Sequence, residues 1–219
     1  VEPRAALVEY GRRLYDRGLI GGSEGNLSLR LAPDRLLVTP AGVSKGFLAA
    51  DMLVETDLFG RALREGPWRV SSEVRMHAVV YARRPDVGAI VHAHPPVATA
   101  FAAARLPLEV AVLPEAVVAL GPIPIVPYAT PGTEELAARV GDAAQDAQTL
   151  LLENHGALAL GDGLERAWQR MEILEQFAKV TLHARALGGP RRLDDDEVER
   201  LAALRAKGAY GPPPVKARS

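Results

Sequence analysis

Residues 87–94 read Val-Gly-Ala-Ile-Val-His-Ala-His and are stopped by Pro95-Pro96. A mainly apolar run of this length ending at prolines reads as a strand, with two histidines at its end. Side chains two apart on a strand face the same way, so His92 and His94 can hold one metal ion without distorting the backbone. The same spacing also suits a half-buried structural pair, and the pair alone does not decide between the two. A second apolar run supplies a third histidine, in Leu151-Leu152-Glu153-Asn154-His155-Gly156. Gly156 lets the backbone turn sharply or approach a ligand closely. Three imidazoles form a common catalytic zinc set that leaves a position for water, substrate or a carboxylate.

Outward from these two strands the chain alternates helices and strands. An opening helix is expected over 3–18, where Leu7, Val8, Tyr10, Leu14 and Tyr15 fall at helical spacing before Gly21-Gly22. In 26–31, Leu27, Leu29 and Leu31 alternate with Ser28 and Arg30, the pattern of a half-buried strand. Its hairpin partner is 35–39, across a turn at Ala32-Pro33-Asp34. Short strands follow at 53–56 and near 62–63. A helix is predicted from Ser71-Ser72-Glu73 to about Arg83, another over 97–104, and a strand at 123–126. Thr133 reads as the N-cap of a helix with Glu134 and Glu135 in its first turn. Strands at 149–153 and 157–160, helices at 164–187 and 194–206, and an extended tail complete the reading. Short turns between paired strands favour an α/β fold with a largely antiparallel sheet over a doubly wound parallel one. Neither G-x-G-x-x-G nor a Walker-type phosphate loop is present.

Bulk properties narrow the function. The chain has 219 residues, 48% hydrophobic and 24% charged, which suffices for one domain over 1–219 with a short C-terminal tail from about 207. A net charge of -1 gives no support to a nucleic-acid or anionic-membrane partner. With no cysteine, a disulfide scaffold and a thiolate zinc finger are excluded, so a transition metal must be held by His, Asp or Glu. No apolar signal core is read near the start, and the expected location is cytoplasmic.

Glu73 stands where a helix begins, after two serines. Such a glutamate is often a favourable charge at the positive helix end, and such serines are often caps. Glu73 and His77 also lie four apart on one helix face, which leaves a ligand pair open. His77 and His183 otherwise read as ordinary helical histidines.

Several segments in order resemble one family, the class II aldolase/adducin family. They are Gly25–Arg30, Thr39-Pro40-Ala41-Gly42-Val43, Ser71-Ser72-Glu73, Arg84–His94, Pro127–Thr133 and Asn154-His155-Gly156. The pattern is nearest to the family's aldolases acting on L-fuculose 1-phosphate. The resemblance implies a three-layer α/β/α fold and one Zn2+ per subunit on His92, His94 and His155. It implies Glu73 as both resting-state zinc ligand and catalytic base. Gly25, Asn26, Gly42, Ser71 and Ser72 match positions that hold the substrate phosphate, and Tyr210 a tyrosine that reaches a neighbouring subunit. It further implies a homotetramer with sites at subunit interfaces. The implied reaction splits a ketose 1-phosphate into dihydroxyacetone phosphate and an aldehyde through a metal-stabilised enediolate.

The sequence departs from that aldolase pattern at three positions. Ala41 stands where a hydroxyl residue is usual, Leu113 where a tyrosine assists proton transfer, and Pro131 where a phenylalanine lines the aldehyde pocket. Related activities therefore stay open: pentulose-phosphate 4-epimerase, methylthioribulose-phosphate dehydratase and keto-acid phosphate decarboxylase. Glu115 reads as a surface residue or as a replacement polar group near Leu113. An amine-based aldolase would need a buried lysine from among Lys45, Lys179, Lys207 and Lys216. A non-catalytic adducin-like binding module would not need the three histidines.

Overall fold

The computed structural model describes residues 2–207. Its centre is a seven-stranded sheet in the order β3-β2-β1-β4-β7-β6-β5. The strands are β1 (Asn26–Ala32), β2 (Arg35–Val38), β3 (Val54–Thr56), β4 (Ala89–Ala93), β5 (Ile125–Val126), β6 (Thr149–Leu152) and β7 (Gly156–Gly161). Only β5 and β6 pair in parallel; the other neighbours are antiparallel. The largely antiparallel α/β/α expectation therefore holds.

Period-two alternation explains the layers. Leu27, Leu37, Ala89, Val91, Leu151, Ala157 and Ala159 face one core, closed by α1 (Pro3–Asp16), α3 (Pro96–Ala103) and α6 (Leu164–Ala186). Leu36, Val38, Ile90, Leu150, Leu152, Leu158 and Leu160 face the other, under α2 (Val74–Arg83) and α5 (Glu134–Ala143). The remaining helices, α4 (Pro114–Ala119) and α7 (Asp195–Ala206), pack on each other through Val117, Val118 and Leu201. Thr133 caps α5 as expected, its side chain accepting from the Leu136 N–H.

Four local readings change. Residues 62–63 form no strand, only an isolated bridge between Thr56 and Ala62. Helix α4 was not expected; it follows directly on Leu113, with Pro114 fixed in its first turn. The polar side of β1 is not solvated, because α2 covers it. Ser28 is fully buried and its Oγ meets both His77 Nδ1 (2.7 Å) and Tyr81 Oη (2.9 Å). His77 is thus a buried, hydrogen-bonded core histidine, and burial pushes its pKa down to about 4.

Candidate metal centre and active site

Antiparallel pairing gathers the sequence-predicted residues at one end of the sheet. The C-terminal end of β4 lies beside the start of β1 and the start of β7; Asn26 pairs with His92, and His92 with Leu158. His92 shares the face of Ile90, the face that α2 covers, so Glu73 at the N-terminus of α2 meets it there. His155 enters from the β6–β7 turn, in which Asn154 adopts a left-handed φ of 54°. Gly156 is required by close approach: an added Cβ would lie 2.6 Å from the Ala93 carbonyl oxygen and 2.7 Å from His94 Cδ2.

The three rings stand 4.8–5.0 Å apart by their centroids. One nitrogen from each of His92, His94 and His155 falls within 4.8 Å of the others, a group able to hold one metal ion. Glu73 borders this histidine group, with Oε1 at 2.9 Å from His155 Nε2 and Oε2 at 3.6 Å from His92 Nε2. Asn26 donates its side-chain N–H to Glu73 Oε2 (2.8 Å). His77 Nδ1 is engaged by Ser28 Oγ (2.7 Å) in the core under α2, and His77 is not in the histidine group, so it is not brought together with Glu73 as a ligand pair.

The hydrogen bonds on the far sides of the rings decide what faces inward. His92 Nδ1 lies 2.9 Å from the Ala157 carbonyl oxygen, which only an Nδ1–H can satisfy. His94 Nδ1 lies 3.2 Å from Glu24 Oε2, again an acceptor. Both Nε2 atoms therefore point lone pairs at the same space, and they are 3.2 Å apart. Two bare lone pairs and a carboxylate repel one another at such range unless a cation lies between them. Protonation is a poor substitute, because burial pushes His92 down to about 3 and also lowers His94. Burial pushes Glu73 up, but the hydrogen bond from His155 and the neighbouring imidazoles outweigh it and hold the carboxyl down at about 2. Neutral imidazoles and an ionised carboxylate are the forms that bind a divalent metal.

The phosphate candidates lie around this centre. Gly25 has φ 68°, and an added Cβ would sit 2.7 Å from the His92 carbonyl oxygen. Gly42, with φ 74°, lies in an open turn after β2. That turn is joined to the segment leading into α2 by the Pro40–Val70 bridge and by Ala41 N–H donating to the Arg69 carbonyl. Ser71 Oγ accepts from Glu73 N–H (3.3 Å), and Ser72 packs against Gly132, so neither serine is the N-cap, a position Glu73 occupies. Leu113 and Glu115 line a separate cleft with Glu175 and Lys179 that contains none of the three histidines. Tyr210 lies outside the described residues.

Two residues take roles that the sequence did not indicate. Glu24 touches His94, as above. Lys45 is buried, and its ammonium donates to the carbonyls of Ser23 (2.7 Å) and Val43 (2.9 Å), tying the Gly25 loop to the Gly42 turn. Burial lowers its pKa to about 8, partly opposed by Glu73 and Glu24. With its N–H groups engaged by two carbonyls, Lys45 serves as a brace, not as an amine nucleophile.

Residues 5–182 match the family model described as Class II Aldolase and Adducin N-terminal domain. The chain belongs to this family. An L-fuculose phosphate aldolase of Methanocaldococcus jannaschii is 36% identical over 80% of this chain and 93% of its own length. A 3-oxo-tetronate 4-phosphate decarboxylase of Haemophilus influenzae is 35% identical over 89% of this chain and 93% of its own. A solved L-fuculose 1-phosphate aldolase superposes with a TM-score of 0.85 at 35% identity, covering 91% of this chain and 94% of that one. The family assignment makes this a class II aldolase-type, typically metal-dependent enzyme, and its relatives span more than one sugar-phosphate reaction. Among the described residues no helix is long and apolar enough to cross a membrane.

Proposed function

We propose that this chain is a zinc-dependent aldolase that cleaves a ketose 1-phosphate resembling L-fuculose 1-phosphate into dihydroxyacetone phosphate and an aldehyde. The observation that carries the reading is the convergence of His92, His94 and His155 on one point beside the ionised Glu73. Three imidazoles and a carboxylate fit zinc by donor type and number. When bound, such an ion polarises the substrate carbonyl and stabilises the negative charge left on its oxygen by carbon–carbon cleavage.

The protein's own groups supply the rest. Glu73 carries the proton to the substrate carbon after cleavage and removes it in the synthetic direction. In the metal-free protein its two carboxylate oxygens are held by Asn26 and His155; with a metal on His155 Nε2, the Asn26 amide remains to position it. Gly25, Asn26, Gly42, Ser71 and Ser72 receive the phosphate, using backbone N–H groups at positive-φ turns, hydroxyls and the α2 N-terminus. The Asn26 amide carries two N–H groups: one donates to Glu73 Oε2, and the other is left for the phosphate. Holding the phosphate orients the reacting carbons. The family resemblance assigns Tyr210 a part in a neighbouring subunit's site, so Tyr210→Phe should slow turnover without unfolding the chain, and a monomer by ultracentrifugation would reject that role.

The decarboxylase relative supports a second reading. Decarboxylation of a 3-oxo acid phosphate also leaves a carbanion beside a carbonyl, and it needs no aldehyde pocket, which suits Pro131. A panel of ketose 1-phosphates and 3-oxo-acid phosphates, with and without chelator, tests both. Chelator-sensitive dihydroxyacetone phosphate from a ketose 1-phosphate is the expected result. Turnover of the 3-oxo-acid phosphate alone, releasing carbon dioxide and the protonated ketone phosphate, with no cleavage of any ketose 1-phosphate, overturns the aldolase reading.

A further inference from the structure

We infer that Glu24 is a positioning residue for the metal centre, fixing the tautomer and aim of His94 and so raising metal affinity. The inference rests on the metal reading above, and it concerns a residue that none of the matching motifs contains. Glu24 sits in the loop between α1 and β1, 70 positions before its partner. One carboxylate oxygen, Oε2, faces His94 Nδ1 at 3.2 Å; the other, Oε1, accepts the Gly21 N–H at 2.7 Å. The Glu24 N–H donates in turn to the Gly21 carbonyl (3.2 Å). The carboxylate is therefore anchored to its own loop, and the loop is anchored by Lys45 through the Ser23 carbonyl.

The three ring nitrogens that face away from the cluster are held unequally. The buried His92 has a backbone carbonyl for Nδ1, and His155 Nδ1 is buried with no partner among the described residues. His94 alone has a charged acceptor, and its side chain is 22% exposed, so it lacks the tight packing that locks His92. A free imidazole interconverts between two tautomers, and only the Nδ1–H form presents a bare Nε2 to the cluster. A carboxylate at Nδ1 selects that form, makes Nε2 a better donor and restricts rotation of the ring.

The test measures Zn2+ affinity by competition with a chromophoric chelator, in wild type, Glu24→Ala and Glu24→Gln. Imidazole tautomers in the metal-free proteins are read by two-bond 1H–15N correlation. Glu24→Ala should weaken zinc binding by about 10–100-fold and shift His94 toward the Nε2–H tautomer. Glu24→Gln should fall between, because one amide oxygen cannot accept from both His94 and Gly21. Wild-type zinc affinity with an Ala variant within twofold of it, or an unchanged His94 tautomer, overturns the role of Glu24 alone. A wild-type protein with no zinc affinity overturns the metal reading and this inference with it. A variant that binds weakly with an unchanged tautomer, and whose metal-free form melts early, assigns Glu24 to loop stability and rejects the positioning role.

Discussion

Glu73→Gln separates the base from the metal. The substitution keeps the shape of a side chain that lies 2.8 Å from the Asn26 amide and 2.9 Å from His155 Nε2, and it removes the group that accepts a proton. Three imidazoles remain, so zinc stays bound. A positioned general base contributes about 10²–10⁴ in rate, or roughly 3–5 kcal/mol of barrier at 1.36 kcal/mol per decade. The structure favours the upper part of that range. Glu73 is only 16% exposed, and among the described residues no second carboxylate approaches the three histidines from inside the cluster to replace it. Exchange of the dihydroxyacetone phosphate α-proton with D2O, followed by NMR, isolates the proton step from aldehyde binding. Elemental analysis of the same sample gives metal occupancy. Exchange within threefold of wild type at full zinc occupancy refutes the role of Glu73.

Other consequences follow from the same geometry. His92→Ala or His155→Ala should lower zinc occupancy, since two imidazoles and a carboxylate remain; full occupancy by elemental analysis in both contradicts the ligand set. Gly156→Ala should cost about 1–3 kcal/mol and disturb His94, because the new Cβ meets backbone at 2.6 Å; denaturant unfolding with no change in midpoint refutes the close approach. The metal-free protein should lose stability as pH falls. His77 has a folded pKa of about 4 against 6.5, so the unfolded chain binds more protons between those values. Stability present above pH 6.5 is then lost down to pH 4, on the order of 3 kcal/mol for this group. His77→Phe should flatten that slope, and unfolding curves at pH 7 and 4.5 that change equally in both proteins reject the assignment.

What the sequence revealed, and what it hid, divides by the distance over which each feature is determined. His92 and His94 were legible because a strand's period of two puts them on one face whatever else the chain does. The Thr133 cap and the Leu27/Leu29 alternation were legible for the same local reason. Ser28 and His77, 49 positions apart, were not: alternation marks Ser28 as turned away from Leu27, and only α2 arriving from elsewhere makes that side buried. Glu24 at His94 and Lys45 between two loops are likewise contacts of tertiary origin with no local pattern. Helix α4 was missed because Pro114 interrupts a short apolar run, which reads as a break until its place in the first helical turn is seen.

This division also explains why the histidine cluster and Glu73 are held more firmly than Leu113 and Pro131. The histidines and Glu73 come from strand ends and a helix start, whose geometry the antiparallel ladder fixes: Asn26 against His92, and His92 against Leu158. Leu113 and Pro131 lie in irregular segments, one before α4 and the other in the turn before α5. No ladder constrains their direction. Leu113 lines a cleft apart from the histidines, and neither residue forms part of the ladder that aims them, so a change at either leaves the histidine geometry in place. That an L-fuculose phosphate aldolase and a 3-oxo-tetronate 4-phosphate decarboxylase are about equally similar to this chain fits such a division, with one scaffold carrying different reactions.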